Sequence, residues 1–108
     1  MRTCAPMVPV VVAEEVYERT AELFATLASP RRLALVQRLA QAPATVGDLA
    51  EDLGVSQPLV SQHLRVLRQA RLVHGRRDGR TVTYEVVDEH VAHVVADALA
   101  HGTEDDDG

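Results

Sequence analysis

Four side chains near the end of the chain have the chemistry and spacing of a shared metal site. They are the acids Asp88 and Glu104 and the histidines His90 and His101, on a predicted helix and its end. The histidines are eleven residues apart, about three helical turns, so both lie on nearly the same helix face. Because they are also about 16 Å apart along the axis, one ion cannot join them within a single helix.

A two-fold axis would bring these ligands together. If two copies of the helix pair antiparallel, His90 faces the partner's His101 and Asp88 faces the partner's Glu104. The midpoint of the two histidines is position 95.5 and that of the two acids is position 96, so both pairs predict almost the same symmetry centre. A homodimer would then form two four-ligand sites of nitrogen and oxygen donors, which suit zinc. The strip expected to pack on the partner helix is Val91, Val94, Val95 and Ala98.

Three details of this ligand set stay open. His93 lies one turn after the first histidine and is a candidate extra ligand if the ion is octahedral. Asp88 does not share the histidine face of an ideal helix, so we expect it at the N-cap, where it caps the helix, binds the metal, or does both. Gly102 is expected to end the helix before Glu104, which belongs either to the site, with Asp105 or water as its substitute, or to a solvated tail.

The composition fits one small domain of 108 residues, with 46% hydrophobic and 3% aromatic residues. We therefore expect a core of Leu, Val and Ala, with dimerisation as a further source of stability. No stretch approaches the roughly 20 apolar residues of a membrane span, so no membrane partner is expected. Cys4 is the only cysteine, which excludes an internal disulfide and fits a cytoplasmic location.

The net charge of −5 is the sum of two opposite regions. Residues 56–80 contain six arginines and one acid, whereas residues 85–108 contain eight acids and no Arg or Lys. The first region can therefore face a polyanion, and the second cannot.

Hydrophobic periodicity predicts five helices. Ser29-Pro30 and Ser56 are typical helix starts, and Gly54 is a typical helix end. The helices are expected over residues 12–27, 30–42, 45–54, 56–67 and 88–100.

A β-hairpin is predicted between the fourth and fifth helices. Residues 72–73 and 81–86 are β-like and are joined across Asp78-Gly79, a strong turn pattern. We divide the chain into a flexible N-terminus (1–12), one folded domain (13–101) and an acidic tail (102–108).

The third and fourth helices, joined by a three-residue turn after Gly54, predict a helix-turn-helix. Short polar side chains near a helix N-terminus reach base edges and phosphates, and Gln and Arg can pair with adenine and guanine. The alternative is a solvated helix face. The expected DNA contacts on the second of these helices are Ser56, Gln57, Ser61, Gln62, His63 and Arg65.

The hairpin extends this candidate DNA surface, because Arg76, Arg77 and Arg80 surround its turn. Such a tip suits a minor groove or its phosphates, although a charged turn also keeps an edge strand soluble. Behind a helix-turn-helix, the hairpin is interpreted as the wing of a winged helix.

This order of elements, with the run VSQPLVSQHLRVL over residues 55–67, resembles the ArsR/SmtB family of bacterial metal-sensing repressors. The resemblance covers roughly residues 14–104. It implies a mainly α winged helix-turn-helix fold with a small β-hairpin and a homodimer formed through the first and last helices. It also implies that the metal-free protein binds double-stranded operator DNA until an inducer releases it.

The resemblance also bears on the inducer. Some members bind thiophilic metals through cysteines on the helix before the turn, and residues 48–53 here contain no cysteine. Others bind zinc on the last helix, in a pattern that Asp88, His90, His101 and Glu104 match one by one. Variants of that pattern with added histidines sense nickel or cobalt.

Two other classes of protein are alternatives to a metal sensor. A metal-independent winged-helix regulator would respond through Cys4 or a protein signal. An enzyme with a small-molecule substrate is not expected, because no nucleophile–base pair is evident. The proposed metal site would also have four protein ligands, which leaves no open position for water.

Overall fold

The computed structural model describes residues 12–105, which form five helices and a three-stranded antiparallel sheet. The helices are α1 (Glu14–Leu27), α2 (Pro30–Gln41), α3 (Val46–Leu53), α4 (Gln57–Gln69) and α5 (Glu89–Asp105). The strands are β1 (Ala44–Thr45), β2 (Val73–Asp78) and β3 (Thr81–Val86). The predicted mainly α winged helix-turn-helix is confirmed. Cys4 and the predicted N-terminus, except for Val12, lie outside the described residues, as do residues 106–108.

Local capping explains where three helices begin. The Ser29 and Ser56 hydroxyls each accept a hydrogen bond from a backbone N–H in the first turn of α2 and α4, and each helix has a proline in that turn. Helix α3 begins with a capping box, in which the Thr45 hydroxyl accepts from the Asp48 N–H at 3.1 Å and the Asp48 carboxylate accepts from the Thr45 N–H at 3.5 Å.

Two helices end in the left-handed region. Gly54 after α3 has a φ of 66°, as its predicted role as a helix end requires. After α4 the left-handed residue is Arg71, with a φ of 64°. The Arg71 N–H donates to the Arg68 carbonyl and the Leu72 N–H to the Leu67 carbonyl, both at 2.9 Å. This is a Schellman motif with arginine at the position that glycine usually occupies.

Strand β3 is central in the sheet, with β1 and β2 on either side. The sequence predicts only the hairpin, and the two-residue β1, in which Ala44 pairs with Tyr84, was not predicted. In the hairpin, Asp78 pairs with Thr81, and Gly79 has a φ of 68° in the turn between them. Strand β2 is therefore longer than the predicted two residues, and the loop is correspondingly tighter.

The core is aliphatic, as the composition predicts, and it joins α2, α4 and α5. Leu64 and Leu67 of α4 and Val91 and Val95 of α5 are each at most 4% exposed. The expectation that Val91 and Val95 pack on a partner helix is therefore wrong, because they are buried in their own protomer. Val94 and Ala98 stay exposed.

Helix α5 continues through Gly102 to Asp105. The prediction that it ends near residue 100 is therefore wrong. Gly102 does not adopt the positive φ of Gly54 and Gly79, and one helical glycine costs only about 1 kcal/mol. The Thr103 hydroxyl donates to the carbonyl of Leu99 at 2.9 Å within this last segment.

Arg71 generates a stability prediction. A β-branched side chain tolerates a positive φ worst, so Arg71→Val should lower the free energy of unfolding by about 1–2 kcal/mol. Arg71→Gly should leave it unchanged or higher, because relieved strain offsets the greater freedom of the unfolded chain. Urea unfolding followed by circular dichroism measures both, and equal stability of the two variants would contradict the assignment.

Candidate functional site

Helix α4 presents a polar face opposite its buried one. The buried Val60, Leu64 and Leu67 fix the rotation of the helix against the core. The residues predicted to contact DNA that are exposed on α4 and at its N-cap are Ser56, Gln57, Ser61, Gln62 and Arg65. Among residues 12–105, Arg65 has no ion-pair partner, so its charge is available to a polyanion.

His63 is placed differently from the other predicted DNA contacts. It is half-buried, and its Nδ1 lies 3.4 Å from Nη1 of Arg32 in α2. Arg32 is itself held by a 2.6 Å hydrogen bond from its Nε to the Thr26 carbonyl. Burial, followed by the positive charges of Arg32 and Arg31, lowers the pKa of His63 below 6.5. Because the Arg32 guanidinium can only donate, Nδ1 of His63 accepts in this contact, and the lowered pKa favours the neutral ring.

The three predicted wing arginines have different surroundings. Arg76 and Arg77 lie within β2 rather than at the tip, and as neighbours on a strand they face opposite sides of the sheet. Arg76 Nη1 donates to Glu85 Oε2 at 2.9 Å, and His74 Nε2 lies 2.8 Å from the same oxygen. Arg80 alone lies in the turn, exposed and without an ion-pair partner in the described part of the chain.

The structure brings further residues to this surface that the sequence analysis did not name. Arg68, Gln69 and Tyr84 line one cavity together with Ser61 and Arg65. The spacing of Arg68, one turn after Arg65, could have indicated it. The position of Tyr84 could not have been predicted without the register of β3.

Asp88 caps α5, as predicted. Its Oδ1 accepts hydrogen bonds from the backbone N–H groups of His90, at 2.9 Å, and Val91, at 3.4 Å. Both bonds use one carboxylate oxygen. A carboxylate has a second oxygen that can bind a cation.

The other candidate metal ligands are spread along α5. His90, His93, His101 and Glu104 are all exposed. Because the helix continues to residue 105, Glu104 lies on the same exposed side as His101, about 60° away around the axis. Within residues 12–105 of one protomer, no three His, Cys, Asp or Glu side chains lie close enough together to hold a metal ion.

Large apolar side chains are exposed on the two helices predicted to form the dimer. Tyr17 and Phe24 of α1 are 49% and 54% exposed, and Val94 of α5 is 40% exposed. No helix in the described part of the chain is both long and apolar enough to cross a bilayer. Large apolar side chains exposed in this way can mark a protein interface.

Comparisons with known proteins agree on one family. The family model described as bacterial regulatory protein, arsR family, matches residues 29–74. The HTH-type transcriptional repressor SmtB of Mycobacterium tuberculosis is 44% identical over 100 residues, covering 93% of this chain and 74% of that protein. The crystal structure of Rv0081 from M. tuberculosis matches with a TM-score of 0.73 and 35% identity, over 89% of this chain and 100% of that one.

A second solved structure is a homodimeric winged helix-turn-helix DNA-binding domain, Mb0332 from Mycobacterium bovis. It matches with a TM-score of 0.74 and 26% identity, covering 89% of this chain and 92% of that one. These relatives are regulators rather than enzymes.

The position of His63 predicts a pH effect on stability. The unfolded chain binds a proton on His63 below about pH 6.5, whereas the folded protein resists it, so stability present above that pH is lost as the pH falls. His63→Asn can keep an acceptor near the position of Nδ1 for Arg32 without titrating and should flatten this loss. Urea unfolding of both proteins at about pH 7.5 and about pH 5.5 measures the difference. An identical pH dependence would contradict it.

Proposed function

The chain belongs to the ArsR/SmtB family of bacterial transcriptional repressors, and on that premise we propose that it is a cytoplasmic zinc-released repressor. Its metal-free homodimer binds operator DNA through α4 and the wing, and zinc at sites shared by the two α5 helices releases it. The observation that carries the proposal is the placement of Asp88, His90, His101 and Glu104 on one continuous helix. Asp88 is its N-cap and the other three lie on its exposed side.

The donor chemistry fits zinc. Two imidazoles and two carboxylates form a four-coordinate nitrogen and oxygen set of the kind zinc accepts. Within one protomer, the ligands at the start of α5 are too far from those at its end to bind the same ion. Each site would therefore take Asp88 and His90 from one α5 and His101 and Glu104 from the other. Such a site would bind zinc more weakly as the pH falls toward 6, because histidine must be neutral to bind a metal.

The proposed release depends on dimer geometry. The two α4 helices must sit about one turn of DNA apart to enter successive major grooves. Bound zinc would favour an arrangement of the α5 helices that mismatches this spacing. The expected coupling between zinc and DNA binding is about 1–3 kcal/mol for one site, and two sites would act together.

A nickel or cobalt sensor is the second candidate, and His93 is the observation that favours it. His93 is exposed and lies one turn from His90. A third imidazole would raise the number of ligands toward the six of an octahedral site. A metal-independent regulator that responds through Cys4 or a protein signal is the remaining alternative.

The test is fluorescence anisotropy of the protein on its promoter DNA, without metal and with two zinc ions per dimer. Tight binding that zinc reduces by tenfold or more is expected, where about tenfold corresponds to 1.4 kcal/mol. Binding that ignores zinc would contradict the zinc assignment. The same titration with nickel and cobalt then tests the second candidate.

Subunit mixing tests whether the site is shared. His90→Ala and His101→Ala homodimers should each fail to bind zinc tightly, because both of their sites lack a histidine. Mixing the two variants should restore one intact site in each heterodimer, made from the unaltered His90 of one protomer and the unaltered His101 of the other. Isothermal titration calorimetry measures the recovered zinc binding.

His93→Ala is the matched control for these variants. It removes an exposed histidine from the same helix and should keep zinc binding. Loss of metal binding in this variant would favour the six-coordinate site. Failure of the mixed variants to recover zinc binding would contradict a shared site.

Asp88 offers a separate test of its two roles. Asn caps helices as well as Asp does, so Asp88→Asn should keep stability within about 0.5 kcal/mol, whereas Asp88→Ala should lose about 1 kcal/mol. Both should weaken zinc binding, because neither provides a carboxylate. Thermal unfolding and zinc titration measure the two effects. Unchanged zinc affinity of Asp88→Asn would mean that Asp88 only caps.

A further inference from the structure

A basic cavity lies between α4 and the sheet, with a volume of about 570 Å³. Its walls are formed by Ser61, Arg65, Arg68, Gln69 and Tyr84. Each of these side chains has a hydrogen-bond donor and none is an acid. We propose that the cavity seats one phosphate of the DNA backbone, which makes Arg68, Gln69 and Tyr84 DNA contacts. The proposal rests on the DNA-binding part of the proposed function and is independent of zinc.

Within the described residues, no ion pair neutralises the arginines of the cavity. Among residues 12–105, the arginines in ion pairs are Arg38, with Asp52, and Arg76, with Glu85. Arg65 and Arg68 are exposed and stand three residues apart on one helix, where like charges repel each other. An anion between the two guanidinium groups would replace this repulsion with charge-assisted hydrogen bonds.

The packing of Tyr84 depends on the glycine opposite it. Gly75 pairs with Tyr84, and a Cβ at Gly75 would lie 3.1 Å from Cε2 of the Tyr84 ring and 2.9 Å from Cγ1 of Val82. Glycine thus lets the ring lie close against β2 at the cavity wall. Within the described residues the Tyr84 hydroxyl has no hydrogen-bond partner, so it is available to donate to a phosphate oxygen.

The position of the cavity favours a backbone phosphate over a small anion. It lies between the exposed face of α4 and Tyr84 of the wing strand β3, and α4 and the wing are the two elements proposed to contact the duplex. In the proposed complex, the DNA backbone that borders the groove occupied by α4 would cross this gap. Donors that meet phosphate fix the position of the protein on DNA and do not read its sequence.

The test compares Arg68→Gln and Tyr84→Phe with the parent, without metal and in the presence of a chelator. Arg68→Gln should weaken binding to operator and unrelated duplex alike, by about tenfold. The slope of log affinity against log salt should fall by about 0.9 for each lost phosphate, or about 1.8 for a dimer. Tyr84→Phe should weaken binding to both duplexes without changing the slope, because it removes no charge.

Arg71→Gln is the matched control. It removes the same charge from a residue that lines a neighbouring cavity with Arg68 but does not line this one. It should change affinity and salt slope much less than Arg68→Gln. Equal losses in the two variants would overturn the proposal, because they would reflect the general positive field rather than a seat for phosphate.

Neutral phosphates in the DNA locate the contact. Duplexes with a single methylphosphonate at successive backbone positions should reveal one position per half-site where the parent loses affinity and Arg68→Gln does not. If the methylphosphonate at every position lowers the DNA affinity of Arg68→Gln as much as that of the parent, the proposal is wrong. Thermal unfolding checks that Arg68→Gln is folded, and Tyr84→Phe provides a second variant.

These results are separable from the proposed function. A parent that binds operator but ignores zinc would contradict zinc release and leave the comparison of variants intact. If the parent protein shows no preference for an operator, its binding to unrelated duplex at low salt would still test the phosphate contact.

Discussion

Helix α5 belongs to the protein core and to its surface at the same time, and the rest of the structure depends on that double role. Val91 and Val95 are buried against the core that α2 shares with α4, whereas His90, Val94 and His101 face outward. Closely packed interiors move between discrete arrangements rather than deform continuously. A change that reorients α5 in a dimer would therefore carry α2 and α4 with it as one unit.

The distribution of charge also separates α5 from the elements proposed to bind DNA. Among the described residues, arginines without an ion pair include Arg65 and Arg68 on α4 and Arg80 on the wing, whereas α5 contains acids and no Arg or Lys. In the last turn of α5 there is no basic residue, although Glu104 and Asp105 lie near the negative end of the helix dipole. That arrangement is unfavourable in the metal-free protein, and a bound cation would relieve it. The same acids oppose any approach of DNA to α5, so the duplex is directed to the opposite charge.

Local rules were enough to predict much of this fold from the sequence. Ser29, Ser56 and Gly54 begin or end helices through contacts within a few residues, and all three were predicted correctly. The incorrect predictions concern features that depend on contacts between residues far apart in the sequence. Strand β1 exists only because β3 pairs with it, and Val91 is buried because α5 packs against the shared core, largely along α2.

The candidate site likewise combines features that the sequence alone predicts with features that depend on tertiary contacts. The ligand spacing on α5 and the polar face of α4 are periodic patterns, so the sequence alone indicates them. The contact of His63 with Arg32 and the cavity wall at Tyr84 depend on tertiary packing and strand register, which the sequence pattern does not contain. The end of α5 was mispredicted for another reason, since Gly102 is compatible with both a helix end and a helix interior.

A shared ligand set also restricts how zinc could release DNA. If each site takes two ligands from each protomer, dissociation of the dimer would destroy both sites, so zinc must strengthen the dimer it binds. A repressor that bound zinc in this way could not leave DNA by falling apart into monomers. The metal-bound and DNA-bound states would both be dimers, and they would differ in the angle or rigidity at which α5 holds the two α4 helices. Tyr17, Phe24 and Val94 are exposed in a single protomer and would be buried between the protomers in both states. The difference in free energy between the two states would then lie in how these surfaces pack.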